Sequence, residues 1–375
     1  MKIQAAVLKQ SGTTRPYADS RPLSVEDLEL SAPGPGEVLV RMAAAGLCHS
    51  DLSVIDGSRP RRLPMVLGHE ASGVVDEIGP GVTEVVPGDH VVFSFVPSCG
   101  RCASCLSGRP ALCEAGARAN AAGTLLTGSQ RLARADGGPL NHHLGVSAFA
   151  THAIVAEGSV VKVDAAVPLE RVALFGCAVL TGVGAVVNTA AAQAGSSAVI
   201  FGLGGVGLSA VMGARLAGCH PIVAVDVMAP KLDLALELGA TDAVRADDPG
   251  ALETIRLLTA GGGQTVIEAA GKASVLRQAY AATRRGGVTV ATGLPDPAQQ
   301  LSIQVVGLVV EERTLKGSYM GSAVPRRDVP RYIALAESGR LPVDRLVSGT
   351  LALEDINAGF DALAAGAVVR QIVRF

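Results

Sequence analysis

Two textures of apolar and polar positions divide the chain. Over the first third, short apolar runs such as GEVLVRMAAAG, ASGVVDEIG and DHVVFSFV are broken by Gly and Pro every few residues. Such runs predict strands joined by tight turns, and their irregular spacing suits a small β-barrel. After Gly176 the pattern lengthens. SAVIF reads as an apolar strand, GLGG as a turn and VGLSAVMGARLAG as an apolar-faced helix. PIVAVDV, TVIEAAG and VTVATGL read as further strands, with KLDLALELGA and SVLRQAYAATRRGG as helices among them. Strands alternating with helices predict an α/β unit with a doubly wound parallel sheet. Beyond Gly321 the helix-like RRDVPRYIALAESGR and the terminal GAVVRQIVRF return to the first texture. The expected organisation is therefore one domain from 1–179 and 322–375, interrupted by a second at 180–321. Residues from about Asn120 to Asn141 are polar and Gly-containing, and read as a long loop with a role in function or assembly.

Composition narrows this picture. The 375 residues include 45 glycines and no Trp, with 49% apolar and only 3% aromatic positions. A core of Val, Ala, Leu and Ile around glycine turns suits parallel α/β packing. A net charge of −2 gives no reason to expect nucleic acid or an anionic membrane as partner. Gly176 to Ala214 carries no charged residue, as a membrane span would require. Gly182, Gly184, Asn188, Gln193, Gly195, Ser196 and Ser197 interrupt it, so strand–turn–helix explains it better. The opening MKIQAAVLKQSGTTRP has no apolar core of a secretory signal. Seven cysteines in that context predict a reducing cytoplasm, with thiols free or on metal.

Four of those cysteines crowd into SCGRCASCLSGRPALCE: Cys99, Cys102, Cys105 and Cys113, spaced C-x2-C-x2-C-x7-C. Independent disulfides are awkward at such spacing, because each needs a favourable Cα separation. Four thiolates converging on one tetrahedral Zn2+ fit easily, and a site closed in that way is structural.

Gly202, Gly204, Gly205, Val206 and Gly207 form a G-x-G-x-x-G turn between a predicted strand and a predicted helix. Gly202 permits the tight turn, Gly204 lets backbone approach a pyrophosphate, and Gly207 allows close helix–strand packing. Asp226 ends the next predicted strand about twenty residues on, where an acid accepts hydrogen bonds from ribose hydroxyls. An acid there repels a 2′-phosphate, so NAD is expected over NADP. The alternative is a packing turn with an unrelated surface acid.

The remaining cysteines are Cys48 in AGLCHSD, Cys177 in LFGCAVLTG and Cys219 in LAGCHP, and His69 lies in VLGHEASG. Two thiolates and one imidazole leave one of four zinc positions open, which is how a catalytic zinc is built. Taken singly, each is as well explained as a buried Cys or a hydrogen-bonded core His.

CHSD, GHE, the four-cysteine loop, GCAVLTG and GLGGVG, in that order, resemble the zinc-containing alcohol dehydrogenases of the medium-chain dehydrogenase/reductase family. The resemblance covers essentially the whole chain. It implies a GroES-like catalytic domain interrupted by a Rossmann domain. It also implies two zinc ions per subunit, one catalytic and one structural, with NAD as cofactor. Cys48, His69 and Cys177 match the catalytic zinc ligands, and Glu70 an acid that enters that zinc's shell in some members. Asp51 matches an acid behind the ligands, a kind of group that fixes the His tautomer. Ser50 matches the hydroxyl that takes the alcohol proton. His49 and Arg370 match pyrophosphate contacts, Lys231 a ribose contact, and Thr181 and Val206 positions by the nicotinamide. For the charged ones the alternative is ordinary surface charge. Phe95 matches a wall of the substrate pocket. Arg59, with Arg61 and Arg62, lies on a segment bordering the substrate entrance, where the alternative is a solvated basic loop. Ser53 stands where many members have a histidine at the outer end of the proton relay. Cys219 matches no ligand position and reads as a buried free thiol.

The activity implied is reversible oxidation of an alcohol to its aldehyde with NAD, the alcohol primary, with aromatic ones among the candidates. Two alternatives stand beside it. One is oxidation of a formaldehyde–thiol adduct, suggested by the long segment from Cys113 to Gly145. The other is a non-catalytic protein that binds NAD and zinc. The implied partners are the small-molecule substrate and a second copy of the chain in a homodimer, or a homotetramer.

Overall fold

A computed structural model describes all 375 residues. Contacts between residues group the chain into two units. One comprises Met1–Cys177, Val324–Ile333 and Asp344–Phe375, the other Ala178–Ala323 and Ala334–Val343. Residues Ala334–Val343 thus group with the second unit, whereas the sequence pattern put them in the first.

The first unit holds a five-stranded and a seven-stranded sheet. The strand Glu37–Gly46 organises the larger one. It pairs antiparallel with Glu70–Ile78, with His152–Ala156 and with the terminal strand Arg370–Arg374. Its inward positions Val38, Val40, Met42 and Ala45 join Val75, Val91, Phe93, Val155 and Phe360 in one apolar core. The segment expected to be a long loop is partly ordered into the smaller sheet. Leu132–Arg134 pairs with Leu23–Leu30, and Asn141–His142 with Met65–Val66. Its short polar runs carry too few apolar residues to announce strands, and buried Leu132 and Leu140 anchor them.

The second unit is a parallel six-stranded sheet. Its order is Asp242–Arg245, Ile222–Asp226, Ala198–Phe201, Gly263–Glu268, Thr283–Ala291 and Thr314–Gly317. Every neighbouring pair is parallel. In chain order this is 3-2-1-4-5-6, the arrangement of a dinucleotide-binding Rossmann sheet, with its switch point beside the first strand. One sequence expectation fails here. The helix read through SVLRQAYAATRRGG ends at Ala281, and Thr283 already begins a strand. The Ala-rich run keeps a helical appearance, but Thr283 and Val288–Ala291 pair with the Gly263–Glu268 strand, and that pairing overrides local propensity.

The uncharged stretch after Gly176 divides into the helix Ala178–Gly184, the strand Ala198–Phe201 and the helix Gly205–Leu216. No single helix is long and apolar enough to cross a membrane.

Candidate metal and nucleotide sites

Two neighbouring strands and two helix junctions assemble the first site. The Glu37–Gly46 strand runs into Cys48, which stands just before the helix His49–Ile55. His69 immediately precedes the Glu70–Ile78 strand. Gly68, at φ +91°, makes the turn before it, where a Cβ would meet the Phe149 backbone. Cys177 follows Gly176, whose missing side chain lets that turn lie on the Phe93 carbonyl. The ligand atoms of Cys48, His69 and Cys177 lie within 4.8 Å of one another, and all three residues are buried.

Buried partners surround this trio. Asp51, fully buried, approaches His69 Nδ1 with Oδ1 at 3.1 Å and accepts the Gly68 N–H at the same distance. That leaves Nε2 of His69 for the cluster, the usual division of labour in a carboxylate–histidine–metal arrangement. Burial would raise the Asp51 carboxyl, but His69 and His143 outweigh it and hold it well below the usual carboxylate range. Burial likewise opposes the charged His69, and Asp51 and Cys48 reverse that, holding it protonated well above its usual value. Cys48 is held far below an ordinary thiol by the hydrogen bond with Cys177, then by Arg370 and His69, while that bond and burial push Cys177 up. Without a cation, only one of the two sulfurs is held as a thiolate. Two thiolates, one imidazole fixed by a carboxylate and no fourth protein ligand among them suit a zinc ion with one position left open.

Arg370 is 2% exposed, and its guanidinium is spent inside the protein. Nε donates to Glu70 Oε1 at 3.1 Å, Nη1 to the Leu47 carbonyl at 3.2 Å and Nη2 to Cys48 Sγ at 3.5 Å. Glu70 is raised by burial against the pull of Arg370. Phe95 sets its ring edge-on to His69 at 5.5 Å between centroids. Ser50 is half-buried in the first turn of the His49–Ile55 helix, and Ser53 Oγ donates to its carbonyl at 2.9 Å. His49 is exposed. Arg59 and Arg61 are half-buried and Arg62 is exposed, with the Arg59 N–H bonded to the Ser53 carbonyl.

Cys99, Cys102, Cys105 and Cys113 form a second cluster with ligand atoms within 4.8 Å, and none of the seven cysteines is in a disulfide. Cys113 stands before the helix Glu114–Ala122, and its Sγ accepts N–H groups from Gly116 and Cys99, each at 3.3 Å. Backbone N–H groups of Cys105 and Glu114 bring Cys102 down to about 6. Burial and the neighbouring Cys102 and Cys113 push Cys105 up to about 12. Without a cation four thiols cannot all ionise side by side, and a tetrahedral zinc resolves that conflict.

The second unit carries the nucleotide features. Gly202 has φ +85°, and a Cβ at Gly207 would run into the Gly202 carbonyl. Nothing lies within 4 Å of a Cβ at Gly204, so packing does not demand that glycine, and the open side fits a pyrophosphate. No side chain caps the helix Gly205–Leu216, so its first N–H groups remain for an anion. Asp226 ends its strand, with Oδ2 accepting the Leu203 N–H at 2.7 Å and Oδ1 that of Met228 at 2.9 Å. Those bonds aim the carboxylate beside the glycine turn. Lys231 is half-buried on the following helix. Thr181 is buried, and Gly182 beside it would strike the Val206 carbonyl with any side chain. The helices bearing Thr181 and Val206 therefore touch backbone to backbone. Cys219 is buried near Ser196 Oγ, 3.8 Å away, and joins neither cluster.

Two residues that the motifs did not single out belong to the first site. His143 lies with Nε2 3.3 Å from Asp51 Oδ1. Asn120 donates Nδ2–H to the Phe95 carbonyl at 3.1 Å. NHHLG carries no spacing signal, and only the fold brings it to Asp51.

The chain is similar to known proteins over its whole length. Residues 34–165 match the family described as "Alcohol dehydrogenase GroES-like domain", and residues 205–338 match "Zinc-binding dehydrogenase". The chain is 39% identical to the NDMA-dependent alcohol dehydrogenase of Amycolatopsis methanolica, over 100% of this chain and 99% of that one. It is 37% identical to the S-(hydroxymethyl)glutathione dehydrogenase of Paracoccus denitrificans, over the whole of both. The crystal structure of benzyl alcohol dehydrogenase from Acinetobacter calcoaceticus superposes with a TM-score of 0.93 at 34% identity, covering 100% of this chain and 99% of that one. With the three-ligand cluster, the four-cysteine cluster and the Rossmann sheet order on one chain, this protein belongs to the zinc-containing alcohol dehydrogenases of the medium-chain dehydrogenase/reductase family.

Proposed function

We propose that this chain oxidises a primary alcohol, aromatic alcohols among its substrates, to the aldehyde with NAD. The observation that carries the reading is the buried trio of Cys48, His69 and Cys177, with Asp51 holding the far side of the imidazole. When bound, zinc supplies a Lewis acid that favours the alkoxide near neutral pH, and NAD supplies the hydride acceptor. The chain's own residues do the rest. Cys48, His69 and Cys177 hold the metal, and Asp51 keeps Nε2 of His69 unprotonated for it. Ser50 takes the alcohol proton. Phe95 walls the substrate and excludes water on the His69 side. Glu70 and Arg370 neutralise one another beside the thiolates. A pyrophosphate contact by Arg370 would draw on the guanidinium that now serves Glu70, and His49 is the exposed imidazole for the same anion. Asp226 and Lys231 hold the ribose, and the carboxylate favours NAD over NADP. Cys99, Cys102, Cys105 and Cys113 hold the structural zinc.

The assembly we propose is a homodimer. The strand Thr314–Gly317 lies at the edge of the six-stranded sheet with all four residues exposed. The preceding helix Val305–Val310 shows water Val305, Val306, Val309 and Val310, each 58–69% exposed. An open edge beside an apolar helix calls for a cover, and a two-fold copy of the same surface supplies one. Seven unpaired cysteines suit a reducing cytoplasm.

The relative named for S-(hydroxymethyl)glutathione favours a second reading, oxidation of a formaldehyde–thiol adduct. One panel separates the two: NADH formation with benzyl alcohol, aliphatic alcohols, hydroxymethyl-benzoate, and formaldehyde with and without glutathione. Turnover of benzyl alcohol is expected. Turnover of the glutathione adduct alone would replace the first reading with the second, and no turnover at all would leave a non-catalytic binder. A preference for hydroxymethyl-benzoate that disappears in Arg59→Ala would assign Arg59 to the pocket.

A further inference from the structure

His143 is buried to within 1% of complete enclosure, yet none of the motifs accounts for it. Its Nε2 stands 3.3 Å from Asp51 Oδ1, within ion-pair distance but off the line of a good hydrogen bond, so neither ring nitrogen has a hydrogen-bond partner. Its ring meets that of His69 edge-on at 5.7 Å. Asp51 therefore faces two imidazoles with one oxygen, while Oδ2 has no hydrogen-bond partner. A fully buried carboxylate needs its charge compensated from more than one side. His69 approaches Oδ1 alone, and His143 is the second imidazole at that oxygen.

We propose that His143 is a positioning residue for the catalytic metal, acting through Asp51: its Nε2 edge, 3.3 Å from Oδ1, holds the carboxylate against His69 and so fixes the imidazole that ligates. The proposal rests on the reading of Cys48, His69 and Cys177 as ligands. Backbone contacts hold His143 in this place. The backbone N–H of His143 donates to Ser147 Oγ at 2.9 Å, and His142 beside it pairs in the small sheet with Val66. Those contacts hold the backbone at His143 beside Asp51. A wholly structural filler would be apolar here, since a buried ring nitrogen without a partner is unfavourable.

The test uses the zinc-loaded chain and reads the metal directly. Release of catalytic zinc to a chelator is followed in the native protein, in His143→Phe and in His143→Gln. Groups behind a ligand typically change metal affinity by about 10- to 100-fold. His143 stands one step further out, so His143→Phe is expected to release the metal roughly tenfold faster. His143→Gln retains an amide donor and is expected to lie within about threefold of native. The zinc of the four-cysteine site should leave at the native rate in both. In protein with cobalt at the catalytic site, the thiolate-to-metal absorption should shift in His143→Phe and return in His143→Gln. In an Asp51→Asn background, His143→Phe should add nothing. Should the phenyl ring prevent folding, His143→Leu takes its place with the same expectation. Native metal retention in the apolar variant, or equal loss in His143→Gln, overturns the proposal. A native chain with zinc in the four-cysteine site alone overturns both it and the ligand reading, whereas two zincs with unaltered release fail this proposal only.

Discussion

The side-chain amide of Asn120 donates to the carbonyl of Phe95 at 3.1 Å, and so joins the four-cysteine lobe to the ring beside His69. Asn120 lies in the helix Glu114–Ala122, which begins at the metal-ligand candidate Cys113. Gly116 in the same helix rests on the Pro97 carbonyl, where a side chain would clash. Asn120→Ala removes a buried donor and leaves the Phe95 carbonyl without it, which costs about 1–3 kcal/mol. The variant should melt earlier and show a raised KM for benzyl alcohol, because Phe95 loses its anchor. An unchanged KM in a destabilised variant would confine Asn120 to stability.

Metal removal should occur in two stages. The purified chain is expected to carry two zinc ions. A chelator should take the one at Cys48, His69 and Cys177 with loss of activity while the fold persists. Loss of the other should unfold the lobe around Cys113. Cys177→Ser should abolish turnover and retain NADH binding, measured by fluorescence titration. Full activity in that variant would remove Cys177 from the ligand set.

The readability of these sites in the sequence follows from how local their chemistry is. The glycine turn, Asp226 and the four cysteines are legible because each pattern is contained within one short segment. Cys48, His69 and Cys177 became legible only as motifs in order, since nothing between Cys48 and Cys177 shows that the strands Glu37–Gly46 and Glu70–Ile78 are neighbours. His143 and Asn120 act through single side-chain contacts made far along the chain, and neither changes the local pattern. The start of the strand Thr283–Ala291 is hidden for a similar reason. The helical run ends only just before it, at Ala281, and the pairing of Thr283 with Gly263 sets the boundary.

Asp226 gives a cofactor prediction. A 2′-phosphate would meet its carboxylate, which two backbone N–H groups hold in place. NAD should therefore be preferred over NADP in kcat/KM, and Asp226→Gly should narrow that ratio by at least about tenfold, or roughly 1.4 kcal/mol. Equal efficiency with both cofactors in the unaltered chain would contradict the assignment.

The exposed valines predict the assembly. Val306→Asp with Val309→Asp places carboxylates on a surface that is apolar and 58–68% exposed at those positions. Burying those charges against a second copy would be strongly unfavourable. Light scattering should show the native chain as a dimer and the double variant as a monomer. A variant that remains dimeric would move the interface elsewhere.

His142 makes stability depend on pH in a direction fixed by its burial. Its Nε2 accepts the Arg131 N–H at 3.0 Å, which requires a neutral ring, and Nδ1 has no partner. Burial depresses it from the usual 6.5 to about 4, with Glu37 opposing and Arg131 assisting. The unfolded chain therefore binds this proton before the folded one does. Stability is fully present above pH 6.5 and falls as the pH drops toward 4, where the folded ring itself protonates. At about 1.4 kcal/mol per pH unit the loss from this group is on the order of 3 kcal/mol. His142→Gln can keep an acceptor for the Arg131 N–H without titrating. Urea midpoints measured from pH 7 to pH 4 should thus fall less steeply in His142→Gln than in the native chain. The gap should open below pH 6.5 and level off near 4. Parallel curves would mean that the imidazole takes its proton equally in both states, and that the Glu37 carboxylate, fully buried beside Arg131, compensates it.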